Sequence, residues 1–180
     1  MPNLAISIIT IEGPESDLKR FYNENRSSDG KSFDINRALP KPKFKPEDSA
    51  KEQKWIDNNL STSYIENEQA TWRVFEPTKV EGLFSSAWVP PIQWLVNLSV
   101  IHPELTFKVV SLDTGQPMLI DLAFVKGLVT GISLEEEWVD FLDEWQEIED
   151  HEESMEGMLE FADSINASPN MKDLLLNEVR

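Results

Sequence analysis

Residues 82–125 read GLFSSAWVPPIQWLVNLSVIHPELTFKVVSLDTGQPMLIDLAFV. Gly82–Trp88 reads as a strand that Pro90-Pro91 stops, and the two prolines open a helix. Ile92, Leu95, Val96, Ser99 and Val100 give that helix a buried face at 3.6-residue spacing. His102-Pro103 closes it. Leu105–Leu112 is the next strand, Asp113-Thr114-Gly115 supplies turn chemistry, and Met118–Val125 returns as the second arm of a hairpin. Strand, helix, strand and strand therefore follow within this stretch.

On the N-terminal side, Leu4–Glu12 alternates at Leu4, Ile6 and Ile8 before a continuous Ile9-Thr10-Ile11, the pattern of a largely buried strand. Gly13-Pro14 ends it, and Pro14 with Glu15 and Asp17 starts a short helix whose face is Leu18, Phe21 and Tyr22. Ser27-Ser28-Asp29-Gly30 breaks that helix, and Phe33–Asn36 reads as a short extended piece. Leu39–Pro46 is a proline-rich linker with three lysines. A second helix runs from Pro46 to about Asn58, with Trp55 and Ile56 as its apolar contacts. Thr71–Phe75 is a further strand. The order through Leu112 is strand, helix, strand, strand, helix, strand, and Met118–Val125 adds one more. This predicts an α+β domain of the ferredoxin-like βαββαβ kind with an extra strand. The domain is expected to span residues 1–127, with a helical excursion at about 41–60.

Four strings carry a resemblance to a known family. They are Met1-Pro2-Asn3 leading into Ile9-Thr10-Ile11-Glu12-Gly13-Pro14; Phe33–Asn36 with Leu39-Pro40; Ala87-Trp88-Val89-Pro90-Pro91; and Pro103-Glu104-Leu105-Thr106-Phe107. Together they resemble the YubB-type ferredoxin-like family carried by plasmids and bacteriophages, over about residues 1–127. The resemblance implies a mobile-element origin and the same fold. It implies no reaction, and the fold itself hosts many functions.

Beyond residue 127 the composition changes. The protein carries a net charge of −17, and residues 128–180 hold 16 acids against 2 bases. From Leu128 to Met171 there are fourteen Asp and Glu residues and no Lys or Arg. Ser133 is a good N-cap, with Glu135–Glu137 in the first turn of a helix expected to reach Asp150. Trp138, Phe141, Leu142, Trp145 and Ile148 form one aromatic stripe along it. Met155, Met158, Leu159 and Ala162 mark a second helix, and Ser168-Pro169 opens a third with Met171, Leu174, Leu175 and Val179. Residues 128–180 are thus expected to form an acidic helical appendage.

Chemistry is sparse. The chain has no cysteine, which excludes disulfides, thiol catalysis and thiolate metal sites. His102 reads as a helix C-cap. Glu147 and His151 share i, i+4 spacing, but the paired Glu-x-x-His set of a di-metal site is missing, as is an EF-hand loop. There is no phosphate-binding glycine loop and no Gly-x-Ser-x-Gly elbow. Trp88 and Trp94 are expected in the core. The cluster Lys41, Lys43, Lys45, Lys51 and Lys54 is the one basic patch, and it is expected to pair with the chain's own acidic helix or with that of a second copy. No catalytic residue, metal or cofactor is expected.

The segregated charge points instead to binding. It repels nucleic acid and anionic lipid and attracts basic surfaces. The expected function is that of a non-enzymatic phage or plasmid protein in the host cytoplasm. Glu136, Asp140, Asp143, Glu144, Glu147 and Asp150 would occupy the basic channel of a host protein. A nucleic-acid-binding defence component would suit, so that the protein would act as a DNA-mimic-like anti-CRISPR or anti-restriction inhibitor. One alternative is a structural module that dimerises through Trp138, Phe141, Trp145 and Ile148. Another is a small-molecule or metal-binding ferredoxin-like domain. The N-terminus lacks a basic n-region and a cleavage site, so no secretory signal is expected.

Overall fold

The computed structural model describes residues 4–28, 30, 34–62, 65–113, 115, 118–145 and 151–178. The fold is α+β. Its centre is an antiparallel sheet of six strands: β1 (Leu4–Glu12), β2 (Ile65–Glu76), β3 (Lys79–Ala87), β4 (Thr106–Asp113), β5 (Met118–Val125) and β6 (Leu128–Ser133). Their order across the sheet is β2-β3-β1-β4-β5-β6. Helix α1 (Glu15–Asn25) follows β1, α2 (Ile35–Ala38) and α3 (Ser49–Asn59) precede β2, and α4 (Ile92–Ile101) joins β3 to β4. Three helices close the chain: α5 (Glu135–Trp145), α6 (His151–Ser164) and α7 (Pro169–Glu178). Among the described residues, no helix is long and apolar enough to cross a membrane.

Because side chains alternate along a strand, each strand feeds two cores. Ile9, Ile11, Val80, Phe84, Phe107, Val109, Ile120 and Phe124 face one side. There they pack with Leu18 and Phe21 of α1 and with Trp94, Leu95 and Leu98 of α4. Ile8, Val110, Leu112 and Leu119 face the other side, against Trp138 and Leu142 of α5, Met158 and Ala162 of α6, and Met171, Leu174 and Leu175 of α7. The molecule is a sheet between two helical layers.

Several expectations need correction. The appendage expected after residue 127 is built into the same body. The boundary falls in the turn between β5 and β6, which pair from Val125↔Leu128 to Ile120↔Ser133, and α5–α7 supply the whole helical side of the second core. Strand β6 had no counterpart in the sequence reading. Its neighbours Lys126 and Gly127, both at positive φ, form a tight hairpin turn at the expected domain boundary. Of the extended piece expected at Phe33–Asn36, Phe33 lies outside the described residues, and Ile35 and Asn36 belong instead to the single helical turn α2, where the N–H groups of Arg37 and Ala38 donate to the Asp34 carbonyl. In α4 the inward residues are Trp94, Leu95, Leu98 and Ser99, while Val100 is exposed. That helix is apolar nearly all round, so periodicity did not select the face. Trp88 is not in the core. It is 44% exposed and sits at φ 68°, where the chain turns sharply out of β3 and the Val89 N–H bonds the Ala87 carbonyl at 2.8 Å.

The aromatic stripe of α5 is likewise internal. Trp138 is 0% exposed, and its indole N–H donates to the Asp113 carbonyl at 3.2 Å. Phe141 stacks on Phe161 of α6 at 4.4 Å between centroids and on Trp138 at 5.7 Å. The Trp145 N–H donates to Ser154 Oγ at 2.6 Å. These rings join α5 to α6 and both to the sheet, so this stripe is not a free dimer surface. Ile148 lies outside the described residues.

Candidate functional site

Burial of the stripe decides where the acids go. With Trp138 and Leu142 turned inward, Glu135, Glu136, Glu137, Asp140 and Asp143 fall on the outer side of α5, and all five are exposed. On α6, Met158 and Ala162 point inward, which leaves Glu156, Glu160 and Asp163 exposed. The outer surface of two adjacent helices therefore carries eight exposed carboxylates among the described residues. The one ion pair seen to them is Lys172 Nζ to Asp163 Oδ1, at 2.5 Å from α7. Of the expected partner-binding residues, Glu136, Asp140 and Asp143 stand together on this face. Glu144 belongs to α5, with no side-chain position described. Glu147 and Asp150 lie outside the described residues, as does the side chain of His151.

Two lysines of the basic cluster pair with acids other than those of this face. Lys41 pairs with Glu52 at 2.5 Å and Lys51 with Asp48 at 2.6 Å, both on or beside α3. His102 caps α4 as expected, its N–H donating to the Leu98 carbonyl at 2.8 Å. Its ring stands edge-on to Phe21 at 5.0 Å, and burial holds its pKa below the usual 6.5, against an opposing pull from Glu104.

A second feature was missed by the sequence reading. Helices α5–α7 cover only one end of the second sheet face. Where cover stops, the cross-strand register sets a polar row: Glu81 opposite Thr10, Thr10 opposite Lys108, Lys108 opposite Ala123. From this row Thr10, Lys108 and Ala123 line an open cleft of about 350 Å³, floored by Ile8 and Val110 and walled by the N-terminal turn of α7. Glu81 is the anchor, only 3% exposed. Its Oε2 accepts from Thr10 Oγ1 at 3.3 Å and Asn170 Nδ2 at 3.1 Å, and Lys79 Nζ lies 3.0 Å away. Asn170 also donates to Thr10 Oγ1 at 2.8 Å. A carboxylate out of water needs such donors, and here they tie α7 to β1 and β3. At the cleft mouth Lys108 pairs with Glu12 at 2.7 Å. The sequence signal was a polar residue at every second position, Thr10 and Glu12 in β1 and Glu81 in β3, but only register brings them together. Among the described residues, no group of three or more His, Asp or Glu side chains is placed to hold a metal ion.

Compared with known proteins, the chain matches no family model, no curated protein and no solved structure.

Proposed function

We propose that this protein works by binding rather than catalysis, and that its outer α5–α6 face docks on a basic surface of a host protein. The observation that carries the reading is the separation of the two sides of these helices. Their apolar side is used inside the fold, and among the described residues eight carboxylates stand exposed on the other, with one ion pair to them, from Lys172. Stability alone does not call for that arrangement, because like charges at i, i+4 cost about 0.2–0.5 kcal/mol per pair. A rigid row of carboxylates suits a partner surface built for phosphates, such as the nucleic-acid channel of a defence nuclease complex. In that setting the protein is a DNA-mimic-like inhibitor of a phage or plasmid, acting in the host cytoplasm.

The fold is consistent with this origin. The chain order through β4 is βαββαβ once α2 and α3, which precede β2, are set aside as an excursion, and β2-β3-β1-β4 is the strand order of a ferredoxin-like core. In this reading β5 and β6 extend that core, and the likeness to the YubB-type family concerns the same part of the chain.

The test is binding of the full chain to purified CRISPR effector and restriction complexes at low and high salt. Combined reversal of Glu136→Lys, Asp140→Lys and Asp143→Lys is expected to weaken binding at least about tenfold, with the native interaction fading as salt rises. Binding indifferent to both would sink the proposal. The cleft favours a second reading, a small-molecule site, and a ligand-induced rise in thermal midpoint that Asn170→Ala abolishes would support it.

A further inference from the structure

The two edges of the sheet are unlike. Strand β2 carries Glu66, Glu68, Arg73 and Glu76, and its register with β3 shifts twice. Charge and irregularity are the usual protection of an open edge. Strand β6 has no charge, and its irregularity is confined to Gly131 at φ +132°. From Gly127 to Leu134 there is no charged residue, its register with β5 is unbroken, and all six strand residues are exposed, Leu128 at 71% and Ile132 at 48%. Val100 at the end of α4, beside Gly127, adds to the same apolar border at 59% exposure.

We infer that β6 is a self-association edge, on which the β6 of a second copy pairs antiparallel about a two-fold axis normal to the sheet. Three observations select a second copy over other occupants. The first is electrostatic: two chains of net charge −17 repel over most of their surface and can meet closely only across an uncharged border. The second is register. The Leu134 N–H donates to the Leu119 carbonyl, and alternation along the ladder then turns the N–H and C=O of Val129 to the open side. Pairing centred on Thr130 places Leu128 of each copy opposite Ile132 of the other, and Thr130 opposite itself. A strand read against its own reverse therefore matches apolar to apolar twice, as an isologous interface requires. The third is at the strand ends, where the same register brings the exposed Lys126 of each copy to the end from which Glu135–Glu137 of the other emerge. The axis keeps faces, so both α5–α6 carboxylate surfaces lie on one side of the continuous sheet.

Sedimentation velocity on the full chain from about 1 to 100 μM tests the pairing across the affinity range of a modest interface. A dimer is expected for the native chain. Leu128→Glu with Ile132→Glu sets like charges opposite each other and is expected to give a monomer of unchanged circular dichroism. Leu128→Glu with Ile132→Lys sets opposite charges across the axis and is expected to restore the dimer. A native monomer throughout the range, a dimer unaffected by the double Glu variant, or no recovery in the charge-paired variant overturns the inference.

Discussion

Protonating His102 works against the fold. The imidazole packs on Phe21, and Nδ1 lies 3.8 Å from Glu104 Oε1, a carboxylate that Arg20 also engages at 2.5 Å. Burial is the dominant influence and lowers the folded pKa below 6.5; Glu104 and Glu24 oppose it, and Arg20 reinforces it. The sign follows by linkage. Above about pH 6.5 both states are neutral and the group contributes nothing to pH dependence. As pH falls through that value the unfolded chain takes up the proton first, so stability declines until pH passes the lower folded pKa. His102→Gln is therefore expected to flatten the pH dependence of the urea midpoint between about pH 7 and pH 5. Superimposable pH profiles for variant and native chain would show that the ring titrates alike in both states. The comparison must be a difference between variant and native, because carboxylate titration in so acidic a chain is common to both.

Among the elements, β6 depends on a single glycine. Gly131 sits at φ +132°, and a Cβ there would stand 2.1 Å from the Asp121 carbonyl oxygen and 2.8 Å from the Leu122 Cα. Both obstacles are backbone of β5 and cannot rotate away. Gly131→Ala is expected to destabilise by more than about 2 kcal/mol, since strain at a special φ adds to a direct clash. Chemical denaturation gives the figure, and a loss below about 0.5 kcal/mol would mean that β6 can lift from β5 at little cost. The same glycine explains why the strand escaped the sequence reading. Gly131 breaks the run of β-formers, and Leu128–Ser133 lacks the alternation that identified β1 because both of its faces are exposed. Where prolines and burial set the pattern, as in β3, α4, β4 and β5, the elements were legible. For α5 periodicity identified the inward side, Trp138 and Leu142, and thereby the exposed acids Glu136, Asp140 and Asp143. It gave no sign of what that side packs against, because the partner surface is Ile8, Val110, Leu112 and Leu119 from three other strands. The cleft was illegible for the same reason: Thr10, Glu81 and Asn170 meet only through strand register and the docking of α7.

For the whole molecule, the decisive relation is between the sheet and its C-terminal helices. A sheet with one covered face is stable only if the other face is polar, and this one is polar only beyond the edge of the helical layer. Under that layer Ile8 and Leu119 are 0% exposed, and Leu112 nearly so. A chain ending at Gly127 would bare these side chains as a continuous apolar patch and leave β5, with Met118, Leu119, Ile120 and Leu122, as an unguarded edge. Patches of that kind drive association. The truncated chain is expected to aggregate, or to unfold without cooperativity and bind a hydrophobic dye. Neutralising Glu136, Asp140 and Asp143 in the full chain should leave folding intact, because those carboxylates lie outside the core and their removal relieves repulsion. If instead the first 127 residues stayed monomeric and unfolded in one sharp transition, the sheet would be self-sufficient and the acidic helices an accessory to it. If the truncation fails and the neutralised full chain folds, the roles within residues 128–180 separate. One side of their helices completes the fold, and the exposed carboxylates on the other side are not needed for it.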